Sequence, residues 1–302
     1  RAPGGLRWTY ADLQQRANRI ANVLVRDMGL VPGNRVLLRA PNNPMLAACW
    51  FAVMKAGAIA VATMPLLRAK ELKAIIDIGR ITHALCDASL ADELRLASSS
   101  LELRLFNTSG QGSLEAAIQH HDAPFVTIDT AADDTCLLAF TSGTTGVPKA
   151  TMHFHRDVIA SCRCWPPHVL RPTADDVFIG SPPLASPLQL LDGIRDFGAT
   201  VLVTAPTSYR ALAAHGDALR ATPLRKCVSA GEALPAATRA LWKDATGIEL
   251  IDGIGATELL HIFISAAAAP ARPGAPGVAV PGYRAQVVRA DDRPAPAGTA
   301  GR

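Results

Sequence analysis

A segment that follows a run of apolar residues has the residue types that bind phosphate. The apolar run Cys136–Phe140 leads into Thr141–Lys149, which reads TSGTTGVPK. Glycines let backbone N–H groups approach an anion, hydroxyl groups donate hydrogen bonds to phosphate oxygens, and a lysine adds positive charge. The segment therefore predicts a loop that binds a polyphosphate. Its candidate contacts are Thr141, Ser142, Gly143, Thr144, Thr145, Gly146 and Lys149.

The spacing of this loop separates it from the common nucleotide-binding patterns. A Walker A loop reads GxxxxGK followed by Ser or Thr. Here Gly143 and Gly146 are three positions apart, and Ala150 follows Lys149. No GxGxxG follows the early predicted strands, which disfavours a dinucleotide-binding dehydrogenase. A Thr- and Gly-rich β-turn that binds no ligand is the alternative interpretation of the loop.

Further segments match one family in order and spacing. Ser229–Glu232 reads SAGE, and Ile254–Glu258 reads IGATE. With Thr141–Lys149, they resemble the adenylate-forming superfamily, which includes acyl-CoA and aryl-CoA ligases, firefly luciferase and nonribosomal adenylation domains. The less specific segments Leu6–Tyr10 and Gly57–Thr63 match its early signatures. The resemblance covers nearly the whole chain.

The resemblance implies a two-step reaction. A carboxylate attacks the α-phosphate of ATP to give an acyl-adenylate and pyrophosphate, and the thiol of coenzyme A then accepts the acyl group. The β- and γ-phosphates would lie in the Thr141–Lys149 loop, the α-phosphate at Thr257 and Mg²⁺ at Glu258. Thr257, Glu258 and Lys149 are then the catalytic candidates. These roles suit the chemistry, because a hard cation prefers carboxylate and phosphate oxygens and charge stabilisation supports transfer at phosphorus.

The resemblance also assigns the residues around the nucleoside. Those expected on the adenine and ribose side are Ala230, Gly231 and Glu232. Asp252 and Gly253 would present backbone groups to adenine, and Gly255 would also lie in the nucleotide site. Ile254 stands where the family commonly has an aromatic residue, so the adenine face would meet an aliphatic side chain.

The substrate class follows from a narrower resemblance. The stretches Asp252–Ser265 and Cys164–Thr173 look more like benzoate-CoA and 2-aminobenzoate-CoA ligases than like fatty-acyl enzymes. In that subgroup the residues after the Thr-Glu pair line the aryl pocket, which indicates His261 and Ile262, with Gly255 at the carboxylate end. His261 could donate a hydrogen bond to a ring substituent or to the carboxylate.

Two alternatives to a CoA ligase stay open at this point. An adenylation domain would pass the aryl group to a carrier protein, and CoA thioester formation without a carrier protein would separate the two. A catalytically silent module would bind ATP without ATP–pyrophosphate exchange. The partners implied by the resemblance are an aromatic acid, ATP and CoA, and the sequence is compatible with a homodimer.

The sequence departs from the family pattern at two places. Between Ala185 and Ser186 the family carries a stretch that supplies an aromatic wall of the acyl pocket. We expect a segment missing from the given sequence rather than a true deletion, because a deletion would expose apolar faces and unpaired strand edges. The chain also stops at Arg302, before the family's mobile C-terminal domain and its lysine. The resemblance therefore implies that this chain alone turns over poorly.

Composition limits the class of protein. The chain has 302 residues, 49% hydrophobic and 19% charged, with a net charge of +4, which is too mild to indicate nucleic acid binding. The longest apolar region, Met45–Met64, is interrupted by Lys55 and Gly57, so no membrane span is predicted. Six cysteines without a CxxC pair favour free thiols in a reducing cytoplasm.

Helical and extended patterns alternate from the start of the chain. Thr9 and Asp12 predict a helix cap, and later apolar runs such as Arg35–Arg39 and Lys226–Ser229 predict strands. This rhythm predicts an α/β fold with two subdomains whose mostly parallel sheets are flanked by helices. The expected divisions are 1–130, then 131–265 with the nucleotide and aryl-acid site, then 266–302 as the start of a smaller β subdomain. We predict a surface connection over about 107–134 and a strand at Ala285–Val288.

Overall fold

The computed structural model describes residues 6–141, 148–180, 187–266 and 275–301. The chain forms two compact units, Arg1–Ile159 and Ala160–Arg302. Each unit contains one mostly parallel sheet flanked by helices, which confirms the predicted α/β class. The division into 1–130, 131–265 and 266–302 stays a prediction.

In the first unit, the described strands form a six-stranded sheet in the order β4-β3-β1-β2-β5-β6. They are β1 (Arg35–Arg39), β2 (Ile59–Thr63), β3 (His83–Asp87), β4 (Glu102–Phe106), β5 (Thr135–Thr141) and β6 (Lys149–Phe154). The pairs are parallel except β5 with β6. The helices are α1 (Tyr10–Asn22), α2 (Pro44–Lys55), α3 (Ala69–Gly79), α4 (Ala91–Ala97) and α5 (Leu114–Ala117).

Local sequence signals set the starts of the first helices. Thr9 and Asp12 form the predicted capping box of α1, which continues as a π-helical turn over Val23–Asp27. Asn43 caps α2 by accepting a hydrogen bond from the backbone N–H of Leu46. Both helices bury an apolar face in one cluster with the first sheet, and that burial is the main source of their stability.

In the second unit, the described strands form a six-stranded sheet in the order β12-β11-β10-β9-β8-β7. They are β7 (Phe178–Gly180), β8 (Val201–Thr204), β9 (Lys226–Ser229), β10 (Leu250–Gly255), β11 (Ile262–Ser265) and β12 (Val278–Ala279). β7 to β10 are parallel, and β11 and β12 are antiparallel to their neighbours.

The remaining helices, α6 to α10, follow β6 along the chain. They are α6 (His155–Trp165), which contains the division between the units, α7 (Pro187–Phe197), α8 (Pro206–Leu212), α9 (Gly216–Arg220) and α10 (Ala236–Thr246). The core of the second unit includes an edge-to-face pair of Tyr209 and Trp242 with ring centroids 4.8 Å apart. Such a pair adds about 1 kcal/mol to the free energy of burial.

Several sequence-based expectations were wrong in detail. Ala285–Val288 forms no strand, and its residue Val288 makes only an isolated bridge to Pro294. The expected surface connection contains α5, because Leu114 and Ile118 are buried in the core. The pattern also missed β4, β6, β11, β12, α4 and α9, which are short or follow a turn closely. Within the described residues, no helix has the length and apolar character needed to cross a bilayer.

Candidate nucleotide and acid site

The first unit carries the ends of the predicted phosphate loop. Thr141 and Lys149 are register partners at the end of the antiparallel pair β5–β6 where the chain passes from one strand to the other. β5 is parallel to β2, so Thr141 lies at the carboxyl edge of the parallel strands, where α/β sheets bind ligands. Lys149 is exposed at this edge. The candidates Ser142, Gly143, Thr144, Thr145 and Gly146 lie outside the described residues.

The second unit contains a cavity of about 640 Å³ that gathers most of the predicted nucleoside residues. Its lining includes Gly231, Glu232, Asp252, Gly253, Ile254 and Gly255. The volume lies within the range of roughly 300–1,000 Å³ that small-molecule sites occupy. Among the described candidates of this unit, those outside the lining are Ala230, Thr257, Glu258, His261 and Ile262.

The sheet explains why these distant segments share one cavity. β9 and β10 are parallel neighbours, with Asp252 opposite Ser229. The SAGE segment leaves β9 at the same edge of the sheet at which β10 ends. Gly231 has φ +92°, a conformation that favours glycine, so the chain can turn here beside the cavity.

One wall of the cavity depends on close packing between β10 and β11. The hydroxyl of Ser265 donates a 2.6 Å hydrogen bond to the carbonyl oxygen of Asp252. The register shifts between Ile254 and Gly255, because Phe263 of β11 has no partner in the register with β10. An extra residue of this kind bends its strand. The shift lies where β10 passes from the cavity to the Thr-Glu turn.

Asp252 is the most buried charged residue of the cavity, at 8% exposure. Its Oδ1 accepts a 3.0 Å hydrogen bond from the backbone N–H of Gly253, and its Oδ2 lies 3.6 Å from Nη2 of Arg239. Burial raises the pKa of the Asp252 carboxyl above its usual value, although the hydrogen bond and Arg239 act in the opposite direction.

The candidate catalytic pair follows β10 in a tight turn. Thr257 and Glu258 begin a 3₁₀ turn, and Leu260 has φ 63° and ψ −31°. The N–H of His261 donates to the carbonyl of Leu259 over 2.7 Å, which closes a γ-turn around Leu260. A branched residue with positive φ is strained, and such strain concentrates at functional sites.

The exposed carboxylate of Glu258 is compatible with a magnesium ion. Within the described residues, no group of three His, Cys, Asp or Glu side chains could form a complete metal site. Mg²⁺ in nucleotide sites takes only one or two carboxylates, and phosphate oxygens and water supply the rest. One available carboxylate on this turn therefore fits a metal that arrives with its nucleotide.

His261 and Ile262, the candidates for the acid pocket, lie directly after the turn. The His261 ring packs against Trp165, with ring centroids 5.1 Å apart, and its Nδ1 is buried without a hydrogen-bond partner. Burial lowers the pKa of His261, which favours the neutral imidazole. Ile262 is buried at 6% exposure in a cluster with Trp165. Ile262 and Trp165 belong to one buried apolar cluster, and the His261 ring packs at Trp165.

Sequence analysis missed the part of the cavity that α10 supplies. The helix contributes one face, formed by Ala236, Arg239, Ala240 and Lys243. Lys243 forms an ion pair with Glu249, which also lines the cavity. The helical spacing of these residues was visible in the sequence, but only the parallel pairing of β9 and β10 shows which face meets the cavity.

The family model described as AMP-binding enzyme matches residues 3–189 and 177–302, and the chain belongs to this family.

One relative is benzoate–CoA ligase of Thauera aromatica, which is 28% identical over 94% of this chain and 60% of that protein. Anthranilate–CoA ligase of Pseudomonas aeruginosa is 31% identical over 86% of this chain and 55% of its own length. The solved structure of the anthranilate CoA ligase AuaEII with anthranoyl-AMP superposes with a TM-score of 0.89 and 30% identity, covering 99% of this chain and 64% of that one. The chain thus spans less than two thirds of the length of these relatives.

Proposed function

We propose that the chain is the nucleotide- and acid-binding portion of an ATP-dependent ligase that activates an aromatic carboxylic acid. The acid, of the benzoate or 2-aminobenzoate (anthranilate) type, becomes an aryl-adenylate and then an aryl-CoA thioester. The observation that carries the proposal is the cavity where the SAGE segment meets β10. The names of the two ligases and of the anthranoyl-AMP complex support an aromatic rather than an aliphatic acid.

Each unit has a separate task in this proposal. In the first unit, Lys149 and the loop before it bind the β- and γ-phosphates, with Lys149 as a point charge. In the second unit, Thr257 binds the α-phosphate and the cavity binds the nucleoside. The substrate carboxylate is already ionised near neutral pH, so it attacks phosphorus without a protein nucleophile. The protein contributes orientation and charge stabilisation.

Glu258 would hold Mg²⁺, which supplies charge neutralisation of the phosphate oxygens when bound. Glu258 lies in the 3₁₀ turn Thr257–Leu259 shortly after β10, and it is exposed. Its task is to keep the phosphates in one orientation during the attack.

The acid pocket is proposed around Gly255, His261 and Ile262. Gly255 carries no side chain at the carboxylate end, and a Cβ there would lie 3.2 Å from the carbonyl oxygen of His261. Neutral His261 can either donate or accept one hydrogen bond, so it orients a ring substituent without placing a charge in an apolar region. Coenzyme A is the proposed acceptor of the aryl group.

We place the protein in a reducing cytoplasm. Cys49, Cys86, Cys136 and Cys227 are buried free thiols, and burial raises the pKa of each of them. Such thiols are packing residues, as in cytosolic proteins.

The experiment is ATP–pyrophosphate exchange measured with aromatic and aliphatic acids, followed by CoA thioester formation. Exchange that depends on benzoate or 2-aminobenzoate, with a CoA thioester as product, is the expected result. If exchange occurred but the aryl group were transferred only to a carrier protein, the protein would be an adenylation domain and not a CoA ligase. If the protein with all its domains bound ATP but showed no exchange with any acid, it would be a catalytically silent nucleotide-binding module.

A further inference from the structure

Two ion pairs line the cavity of the second unit, and they differ in burial. Lys243 and Glu249 are both more than half exposed, at 56% and 58% of their side chains. In the other pair, the side chains of Arg239 and Asp252 are only 29% and 12% exposed. A carboxylate with little solvent around it interacts more strongly with one neighbouring cation and with one ligand atom.

Arg239 is fixed by a second contact besides Asp252. Its Nη1 donates a 2.8 Å hydrogen bond to the carbonyl oxygen of Leu250, two positions before Asp252 on the same strand. The guanidinium therefore joins α10 to β10 next to the carboxylate. The backbone N–H of Gly253 fixes the other carboxylate oxygen. Asp252 is thus held in one orientation while it still lines the cavity.

The chemistry of purine bases makes this orientation selective. Adenine has an amino group at C6, which donates hydrogen bonds, whereas hypoxanthine and guanine have a carbonyl oxygen there, which accepts them. An ionised carboxylate can only accept, so it pairs with the amino group and repels the carbonyl. A protonated carboxyl loses this discrimination, because its O–H can donate.

We propose that Arg239 is a positioning residue that holds the Asp252 carboxylate as a hydrogen-bond acceptor, so that the cavity selects a base with an amino group over a base with a carbonyl. This inference rests on the proposed function, since it assumes that the nucleoside of ATP occupies this cavity. It adds the residue that sets the base preference, which lies on α10 and outside the family motifs.

The charged groups around Asp252 determine the expected pH dependence. β11 and the lining residues Ala275 and Pro276 contribute none. The charged residues on the other elements are Arg239 and Lys243 on α10, Glu249 before β10, and Glu232 after β9. Arg239 is the cation paired with Asp252, so its removal raises the pKa of this carboxyl further and widens the pH range in which it is protonated.

The test compares the binding of ATP and inosine triphosphate by calorimetry at neutral pH and at a series of lower pH values, because protonation of Asp252 removes the discrimination between the two bases. The ratio of the two affinities is the readout, because titration of the phosphates affects both nucleotides equally. For Arg239→Met, the ratio should fall about tenfold, the size expected for one charge-assisted hydrogen bond. The decline of the ratio at low pH should also move to higher pH.

Three further variants separate positioning from folding. Arg239→Lys retains a cation and should restore most of the ratio, whereas Asp252→Asn should give a low ratio that no longer depends on pH. Arg210→Met removes an exposed cation on α8, outside the cavity lining, and should leave the ratio unchanged. Equal weakening of both nucleotides by Arg239→Met, without a pH shift, would overturn the inference. Failure of the unmodified chain to bind ATP would instead overturn the proposed function, and this inference with it.

Discussion

A Cβ atom on Gly253 would lie only 2.5 Å from Cγ2 of Ile262, across the antiparallel pair β10–β11. Real Cβ atoms do not approach other atoms so closely, so the strands can pack at this distance only around a glycine. The contact joins the wall of the nucleoside cavity to the buried side chain that we assign to the acid pocket. A change at Gly253 is therefore expected to affect both.

Gly253→Ala should lower the free energy of unfolding by about 1–3 kcal/mol, because overpacking forces neighbouring atoms to move. Urea denaturation monitored by fluorescence measures this change. Gly112→Ala is the control, since a Cβ at Gly112 would meet no atom within 4 Å. Equal midpoints for the two variants would contradict the close packing of β10 and β11.

Lys149→Ala should weaken ATP binding by about 1–3 kcal/mol, the contribution of a charge-assisted hydrogen bond to phosphate. The loss should shrink with added salt, because Lys149 is exposed and its charge is screened. Calorimetric titration with ATP and with adenosine provides the measurement, and adenosine affinity should not change. Lys70→Ala on α3 is the matched exposed control, and an equal loss in both variants would remove Lys149 from the site.

The sequence predicts some parts of the fold and of the candidate site better than others. β1 and β9 have the predicted bounds, and α1 begins at its predicted cap, because an apolar period and a cap are local properties. Most of the residues assigned to the nucleoside line one cavity, because strands β9 and β10 run in parallel, and their role in binding stays a prediction. The register shift beside Gly255 could not be predicted, since it depends on how β11 pairs with β10.

Glu258→Gln should abolish Mg²⁺-dependent adenylate formation and leave stability unchanged. The neutral amide is nearly the same size but binds a hard cation poorly. Pyrophosphate exchange over a range of Mg²⁺ concentrations, with thermal unfolding alongside, measures both effects. Activity that persists at ordinary Mg²⁺ concentrations would exclude Glu258 as the metal ligand.

Asp176 contributes stability that depends on pH. Its buried carboxylate accepts a 2.6 Å hydrogen bond from the hydroxyl of Thr200 and a 2.9 Å bond from the N–H of Thr173. Arg225 and Lys226 lie 2.6 and 3.5 Å from it. The two hydrogen bonds, followed by these two cations, lower the pKa of Asp176 to about 2.

Because the pKa is lower in the folded state, this stabilisation is fully present above the unfolded pKa of about 3.9 and is lost as pH falls toward 2. Asp176→Asn should therefore lower the free energy of unfolding by about 2 kcal/mol at neutral pH, and the difference from the unmodified protein should vanish near the folded pKa. Asp175→Asn, at an exposed neighbour, should have little effect. A difference for Asp176→Asn that is constant with pH would contradict this account.

Ile254 offers a test in the direction of tighter binding. It lines the nucleoside cavity with 42% of its surface exposed, at a position where the family commonly has an aromatic residue. Stacking of an aromatic ring on a nucleobase contributes about 1–3 kcal/mol to the binding free energy. An aliphatic side chain already supplies part of this contact, so Ile254→Phe should tighten ATP binding by about 1 kcal/mol. Leu241→Phe, on α10 outside the cavity lining, controls for added surface hydrophobicity. If Ile254→Phe bound ATP no more tightly than Leu241→Phe, adenine would not stack on residue 254, and its plane would have to lie elsewhere in the cavity.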